Sequence, residues 1–202
     1  MLTLYTAPGT CALASHIALE EAGADYATVR VDFAAQGQRA PDYLAVNPKG
    51  RVPTLVTEHG PLTETPAILG YIAQRFPLAE LAPLHDPFAF AQVQAFTSYL
   101  CSTVHVAHAH KMRGHRWTDD TAVVAALKLG VPKAVGEAFA LIEDGMLTGP
   151  WVMGDAYTIC DPYLFTLAGW LEGDGVDLGR LPKVMAHHAR VAARPAVRRV
   201  LG

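Results

Sequence analysis

Cys11 is placed within the first dozen residues, behind a Pro8-Gly9 turn and next to Thr10, where the spacing predicts the mouth of a helix running on to Gly23. A thiol in the first turn of a helix lies near unpaired N–H groups and the positive end of the helix dipole. Both favour thiolate over thiol, which makes a nucleophile. Free cysteine also serves as a small buried hydrophobe, so position by itself leaves chemistry and packing both open. A second constellation is Cys101, His105 and His108, at i, i+4 and i+7 of one helical face. All three side chains ligate zinc or copper. One helix rarely completes four ligands and no paired partner motif occurs elsewhere, so no metal is expected. His110, Lys111, Arg113, His115 and Arg116 follow at the end of the same helix, where cations suit the dipole and would shape a pocket or a polar surface.

The elements that must position these groups fall into two halves. Leu2 and Leu4 alternate with Thr3 and Tyr5 as a strand, and Thr10 stands where it would cap the helix that follows. DYATVRVDF predicts a second strand, with Tyr26, Val29, Val31 and Phe33 available for burial. Residues 34–50 read as a loop with at most one helical turn. VPTLVTE is a third strand, Leu62-Thr63 a short fourth, and ETPAILGYIAQRF a helix with Pro66 in its first turn and Ile68, Leu69 and Ile72 on the apolar face. This order gives a compact α/β unit with a mixed sheet over residues 1–77. Three prolines between Phe76 and Pro87 mark a linker, 78–87. From 88 to 202 the pattern is helical throughout, with helices expected over 88–115, 119–147, 158–172 and 182–193 and from Pro195 onward. The fold class is therefore α+β: an α/β unit followed by an all-α domain.

Composition narrows the function. A formal charge of −3 and the lack of a long basic run argue against nucleic acid as partner. Pro, Gly or charge interrupts every apolar run before it could span a bilayer, so no membrane is expected. The start of the chain lacks a signal-peptide pattern, and three cysteines at 11, 101 and 160 form no disulfide framework, so a reducing, cytoplasmic setting is expected. TICD, Thr158 to Asp161, is a capping box variant that belongs to stability, with Cys160 in the core. Leu141, Ile142, Phe165, Leu167 and Trp170 read as core, and the acids of the segment after Trp170 as facing water.

CALASHIALEEAG, NPKGRVPTL, LTETPAILGYIAQRF and WVMGDAYTICDPYLF, in that order and across essentially the whole chain, resemble the glutathione S-transferases, specifically the bacterial cysteine-containing beta type. The resemblance implies a thioredoxin-like first domain with a cis-proline at Pro53 beside the active thiol, although X-Pro spacing on its own favours trans. It implies that Glu64 and Thr65 hold the γ-glutamyl part of glutathione, where helix N–H groups and the hydroxyl suit a carboxylate and Glu64 suits an ammonium. In an unrelated protein Thr65 would simply cap the helix. Val52 would pair through its backbone with the cysteinyl part, like an added strand. Cys11 would face the glutathione sulfur, with Thr10, Tyr5 and His105 as the other candidates. Gln36, Lys49, Arg51 and Ser98 complete the implied glutathione set.

Departures from the family pattern are specific. Val106 replaces a Lys after the matching His, and Ser98 replaces an Asn. Gln36 is the nearest match to a Lys that contacts the glycine carboxylate, for which Arg39 or Lys49 would have to substitute. The function implied is conjugation of reduced glutathione, as co-substrate, to small apolar electrophiles by a homodimeric detoxification enzyme that needs no cofactor. Two alternatives share the scaffold: a thiol-disulfide reductase or peroxidase working through a Cys11 mixed disulfide, and a non-catalytic ligand-binding or interaction protein.

Overall fold

A computed structural model describes residues 1–202. Strand β1 (Leu2–Thr6) is followed by helix α1 (Ala12–Glu21) and strand β2 (Tyr26–Arg30), which pairs parallel to β1. A 3₁₀ turn at Gly37–Arg39 and the short helix α2 (Pro41–Val46) lead to β3 (Thr54–Thr57) and β4 (Gly60–Thr63), an antiparallel hairpin. β3 runs antiparallel to β1, which gives a mixed four-stranded sheet of order β2-β1-β3-β4. Helix α3 (Thr65–Arg75) closes this thioredoxin-like part. Leu4 and Leu55 are opposite each other in the ladder and fully buried, with Ile68, Leu69 and Ile72 of α3 in the same core. The sheet is therefore held by the alternation read from the sequence. Val29 departs from it: it lies on the outer strand β2 and is 39% exposed.

The remainder is helical: α4 (Pro87–Tyr99), α5 (His105–Arg113), α6 (Thr121–Leu129), α7 (Val131–Leu141), α8 (Cys160–Ala168), α9 (Pro182–Ala192) and α10 (Pro195–Leu201). The expected helix 88–115 is one rod with a π-helical turn at Leu100–Val104, immediately before His105. The expected helix 119–147 is two, because Gly130 ends α6 and Pro132, which has no N–H to donate, is tolerated only in the first turn of a new helix. The Pro-rich segment between the halves is pinned: Leu81 and Ala82 are buried, the Leu81 carbonyl accepts from Ile159 N–H at 2.9 Å, and Asp86 caps α4 through Phe88 and Ala89. No helix is long and apolar enough to cross a membrane.

Asp161 is the polar centre of the helical part. Its carboxylate is wholly buried and accepts from Val152 N–H at 2.8 Å and Thr158 N–H at 2.6 Å, and meets His187 Nε2 at 2.8 Å. The Thr158 hydroxyl accepts from Cys160 N–H at 3.3 Å and lies 3.3 Å from the same carboxylate. The TICD box therefore caps α8 and ties it to the 148–158 loop and α9. Cys160 is fully buried as expected, whereas Leu141 is 59% exposed. Removing the carboxylate strands two buried N–H groups and a buried imidazole together. Asp161→Ala is expected to cost about 3–5 kcal/mol, against about 0.5–2 kcal/mol for Thr158→Ala, measured by urea unfolding of both variants.

Candidate active site

A cavity of about 410 Å³ opens where the β1–α1 turn, the loop before β3 and the start of α3 face α5 and α8. Thr10 and Cys11 line it from the first turn, Arg51, Val52 and Pro53 from the loop, and Glu64 and Thr65 from α3. Cys101, His105 and His108 face them from across the cavity, together with Tyr163 and Trp170. Four of the expected residues lie outside this lining. Tyr5 packs against Tyr43, ring centroids 5.4 Å apart. Gln36 occupies an exposed left-handed turn (φ 58°). Ser98 is exposed on α4, its carbonyl accepting from the Ser102 hydroxyl at 2.9 Å. Lys49 is taken by Glu64 Oε1 at 2.6 Å and the Thr63 hydroxyl at 2.8 Å.

The loop before β3 is fixed from beneath. Asn47 is buried and donates through Nδ2 to the Arg51 carbonyl at 2.7 Å and to Thr54 Oγ1 at 2.9 Å, while the Tyr43 hydroxyl donates to the same carbonyl at 2.6 Å. Gly50 is required twice over: its φ is +60°, and a Cβ there would come within 2.8 Å of the Gln38 carbonyl. These contacts hold Val52 facing Cys11, with the Val52-Pro53 peptide cis. The Val52 carbonyl accepts the Cys11 thiol at 3.6 Å, and its N–H makes no hydrogen bond. Asn47 and Tyr43 were not among the residues singled out from the sequence. The only signal for Asn47 was its place in an NPKG turn, where its side chain accepts from Lys49 N–H at 3.1 Å.

Two electrostatic expectations change. Burial pushes the Cys11 thiol up to about 11, only partly offset by the neighbouring Thr65 hydroxyl. Cys11 is thus a protonated donor at neutral pH, because desolvation outweighs the helix terminus. Thr10 does not cap α1: its hydroxyl turns back to the Ala7 carbonyl at 2.6 Å, and Cys11 occupies the N-cap position. Thr65 is not a cap either, since α3 begins at Thr65 with Glu64 before it. Glu64 holds a backbone of φ +74°, the left-handed region that a non-glycine residue enters at a cost of about 1–3 kcal/mol, and such residues cluster at functional sites. The first turn of α3 leaves Thr65 and Ala67 N–H without acceptors.

On the helical side, burial pushes His105 down to about 4, helped by His108, Arg113, Arg116 and Arg51, so its imidazole is neutral. Its ring meets Trp170 edge-on at 5.3 Å. His108 stacks on Trp170 at 4.2 Å and hydrogen-bonds Asp174 at 2.7 Å. Asp174, expected in water, is buried and also engages Lys111 at 3.3 Å. Trp170, expected in the core, is a cavity wall. No group of three or more His, Cys, Asp or Glu side chains converges on a metal position. The Tyr163 hydroxyl is buried and unpartnered, and burial pushes its phenol far above the usual range, so it remains a donor.

Residues 1–74 match the family model "Glutathione S-transferase, N-terminal domain". Over 203 aligned residues the chain is 32% identical to glutathione S-transferase GstA of Escherichia coli O157:H7, covering 99% of this chain and 97% of that protein. The chain belongs to the glutathione S-transferase family. A glutathione transferase homologue from Sulfitobacter, solved with bound glutathione, superposes with a TM-score of 0.96 at 47% identity over 100% of this chain and 97% of that one. A beta-class glutathione S-transferase of Sphingomonas chungbukensis superposes with a TM-score of 0.85 at 35% identity, over 98% and 96% of the two chains. The transferase fold and the family placement read from four sequence motifs are those of its solved relatives.

Two measurements test the electrostatics of the transferase site. Alkylation of Cys11 by iodoacetamide, followed by peptide mapping, is expected to be slow at pH 7–8 and to rise about tenfold per pH unit toward pH 11; fast labelling at pH 7 would restore the thiolate. His105 is held neutral well below the ordinary histidine range. The unfolded chain therefore binds a proton that the folded protein refuses, and stability is lost as pH falls from about 6.5 toward 4. The loss approaches about 1.4 kcal/mol per pH unit, and His105→Gln is expected to remove that component in urea titrations at pH 7.5, 5.5 and 4.5.

Proposed function

We propose that this transferase binds reduced glutathione in the cavity and joins its sulfur to an electrophile held against α5. The observation that carries the reading is the convergence of four unlike groups in one cavity: the Glu64-Thr65 helix start, the free Val52 N–H, the Cys11 thiol and the neutral His105. The γ-glutamyl carboxylate takes the Thr65 hydroxyl and the free N–H groups of Thr65 and Ala67, and Glu64 takes the ammonium. Val52 and the cysteinyl backbone pair as strand to strand, with Pro53 behind them. Arg51, backed by Arg39, stands for the missing Lys at the glycine carboxylate. Lys49 supports this anchoring only indirectly, through Glu64, and Gln36 and Ser98 take no part in it.

At the sulfur, a protonated Cys11 acts by donating rather than attacking. Its S–H turns from the Val52 carbonyl to the glutathione sulfur and stabilises the thiolate there, with Thr10, Tyr163 and His105 around the same position. Binding glutathione and electrophile side by side supplies the rest through proximity. The disulfide-exchange alternative needs a Cys11 thiolate, which burial suppresses. The working form is a cytoplasmic homodimer, in keeping with strongly exposed Leu78 and Phe88 at the junction of the two halves.

Calorimetric titration of glutathione into the wild type, Glu64→Ala and Cys11→Ala tests the assignment. Wild type is expected to bind. Glu64→Ala should weaken binding about 10-fold or more, the scale of a hydrogen bond to a charged group. Cys11→Ala should retain conjugation of 1-chloro-2,4-dinitrobenzene within about tenfold, because one neutral donor is lost and no nucleophile. Absence of binding to wild type overturns the proposal, and complete loss of turnover in Cys11→Ala returns the sulfur to a covalent role.

A further inference from the structure

The cavity lining carries positive charge without a counterion. Arg51, Arg113 and Arg116 all line it, and Arg39 packs behind the Arg51 loop, where a Cβ on Gly50 would come within 3.1 Å of its Nη1. None of the four has a carboxylate within 4.0 Å, although several acids of the chain are taken elsewhere: Glu21 by Arg194, Glu20 by Arg199, Asp161 by His187, and Asp174 by His108 and Lys111. Glu64 is the sole carboxylate in the lining, and Lys49 neutralises it. Burial and then Arg51, Arg113 and Arg39 push Arg116 down to about 10, so Arg116 feels the other three guanidiniums.

Cations at a helix end are ordinary on an open surface. Here half-buried Arg113 and exposed Arg116 line a cavity wall, on a backbone fixed where the 3₁₀ turn Gly114–Arg116 is pressed on α6, with Gly114 so close that a Cβ would lie 3.1 Å from Val124 Cγ1. In a chain of net charge −3, a clustered and uncompensated positive wall is a binding feature, because converging like charges destabilise the empty protein and are relieved by an anion.

Glutathione by itself does not supply enough negative charge. It carries two carboxylates and one ammonium; the ammonium and one carboxylate belong at Glu64 and Thr65, which leaves one carboxylate for Arg51 and Arg39. Arg113 and Arg116 remain. They share the cavity with Val106, Met112 and Trp117, an apolar and largely exposed rim. The geometry points to an anionic second substrate: an aromatic or unsaturated carboxylic acid whose planar body lies on Met112 and Trp117 and whose carboxylate is held by Arg113 and Arg116. This narrows the small apolar electrophile expected from the sequence to one that also carries a carboxylate, and it rests on the transferase reading. With an aryl chloride the C–S bond forms, chloride leaves with its bonding pair, and the thiol proton passes to solvent.

The test uses 4-chloro-3-nitrobenzoate and its methyl ester. Their two S-aryl glutathione products are titrated calorimetrically, and kcat/KM for each electrophile is divided by its uncatalysed rate with glutathione. The acid conjugate is expected to bind at least about 10-fold tighter than the ester. That advantage should shrink to about twofold or less in the Arg113→Gln/Arg116→Gln double variant, and also between low and high salt, as screening requires. A thermal unfolding curve shows that the variant is folded. Equal binding of acid and ester by wild type, with glutathione still bound, overturns this inference alone. So does a double variant that weakens free glutathione and both conjugates equally, since the two arginines would then serve the glycine carboxylate. Failure of wild type to bind glutathione or either conjugate overturns the transferase reading itself.

Discussion

The buried carboxylate of Asp161 is the interaction on which the cavity depends. It anchors the start of α8, and α8 carries Tyr163 to the cavity and leads on to Trp170. Helix α1 packs on α8, so the same anchor sets where the Cys11 end of α1 lies relative to α5. An ion buried this deeply is destabilising unless every lone pair is used, and here two backbone N–H groups, a hydroxyl and an imidazole use them. The polar cluster therefore specifies one packing of the helical half more than it adds to stability.

The charges around the cavity are not balanced. Glu64, the one carboxylate of the lining, is paired with Lys49 beside a helix start, Cys11 and His105 are neutral, and Arg51, Arg113 and Arg116 stand without a carboxylate. The neutrality of Cys11 and His105 is decided by burial. A helix terminus offers a thiolate about 0.3–1 kcal/mol, whereas the rise of Cys11 from 9.0 to about 11 corresponds to roughly 3 kcal/mol against it. Desolvation wins, and a residue whose position suggests a nucleophile becomes a hydrogen-bond donor.

Much of the fold was legible because local rules and tertiary packing agree. Leu2 and Leu4 alternate as a buried strand face, and Ile68, Leu69 and Ile72 form the buried stripe of α3. Where they disagree, packing decided. Val29 has strand chemistry but belongs to an outer strand, and Trp170 has core chemistry but belongs to a wall of the cavity. Asp174 has surface chemistry but pairs with a lysine and a histidine 63 and 66 residues earlier in the chain, a separation no local pattern reveals.

By itself the sequence determined the element order, the α+β division, the four motifs that place the chain among the glutathione S-transferases, and the candidate residues Cys11, Val52, Pro53, Glu64, Thr65 and His105. The element order, the division and the position of Cys11 rest on spacing along the chain, which periodicity and turn chemistry encode directly; the family placement and the roles of Val52, Pro53, Glu64, Thr65 and His105 rest on the resemblance of the motifs. Only the tertiary structure decided which of the candidates meet. It put Tyr5, Gln36, Lys49 and Ser98 outside the lining and kept Cys11 protonated. It also placed Asn47 and Tyr43 under the Arg51 carbonyl and gathered Arg51, Arg113 and Arg116 from two distant segments in the lining of one cavity. Those outcomes depend on solvent exclusion and on distances between residues far apart in sequence, which exist only once the two halves have closed on each other.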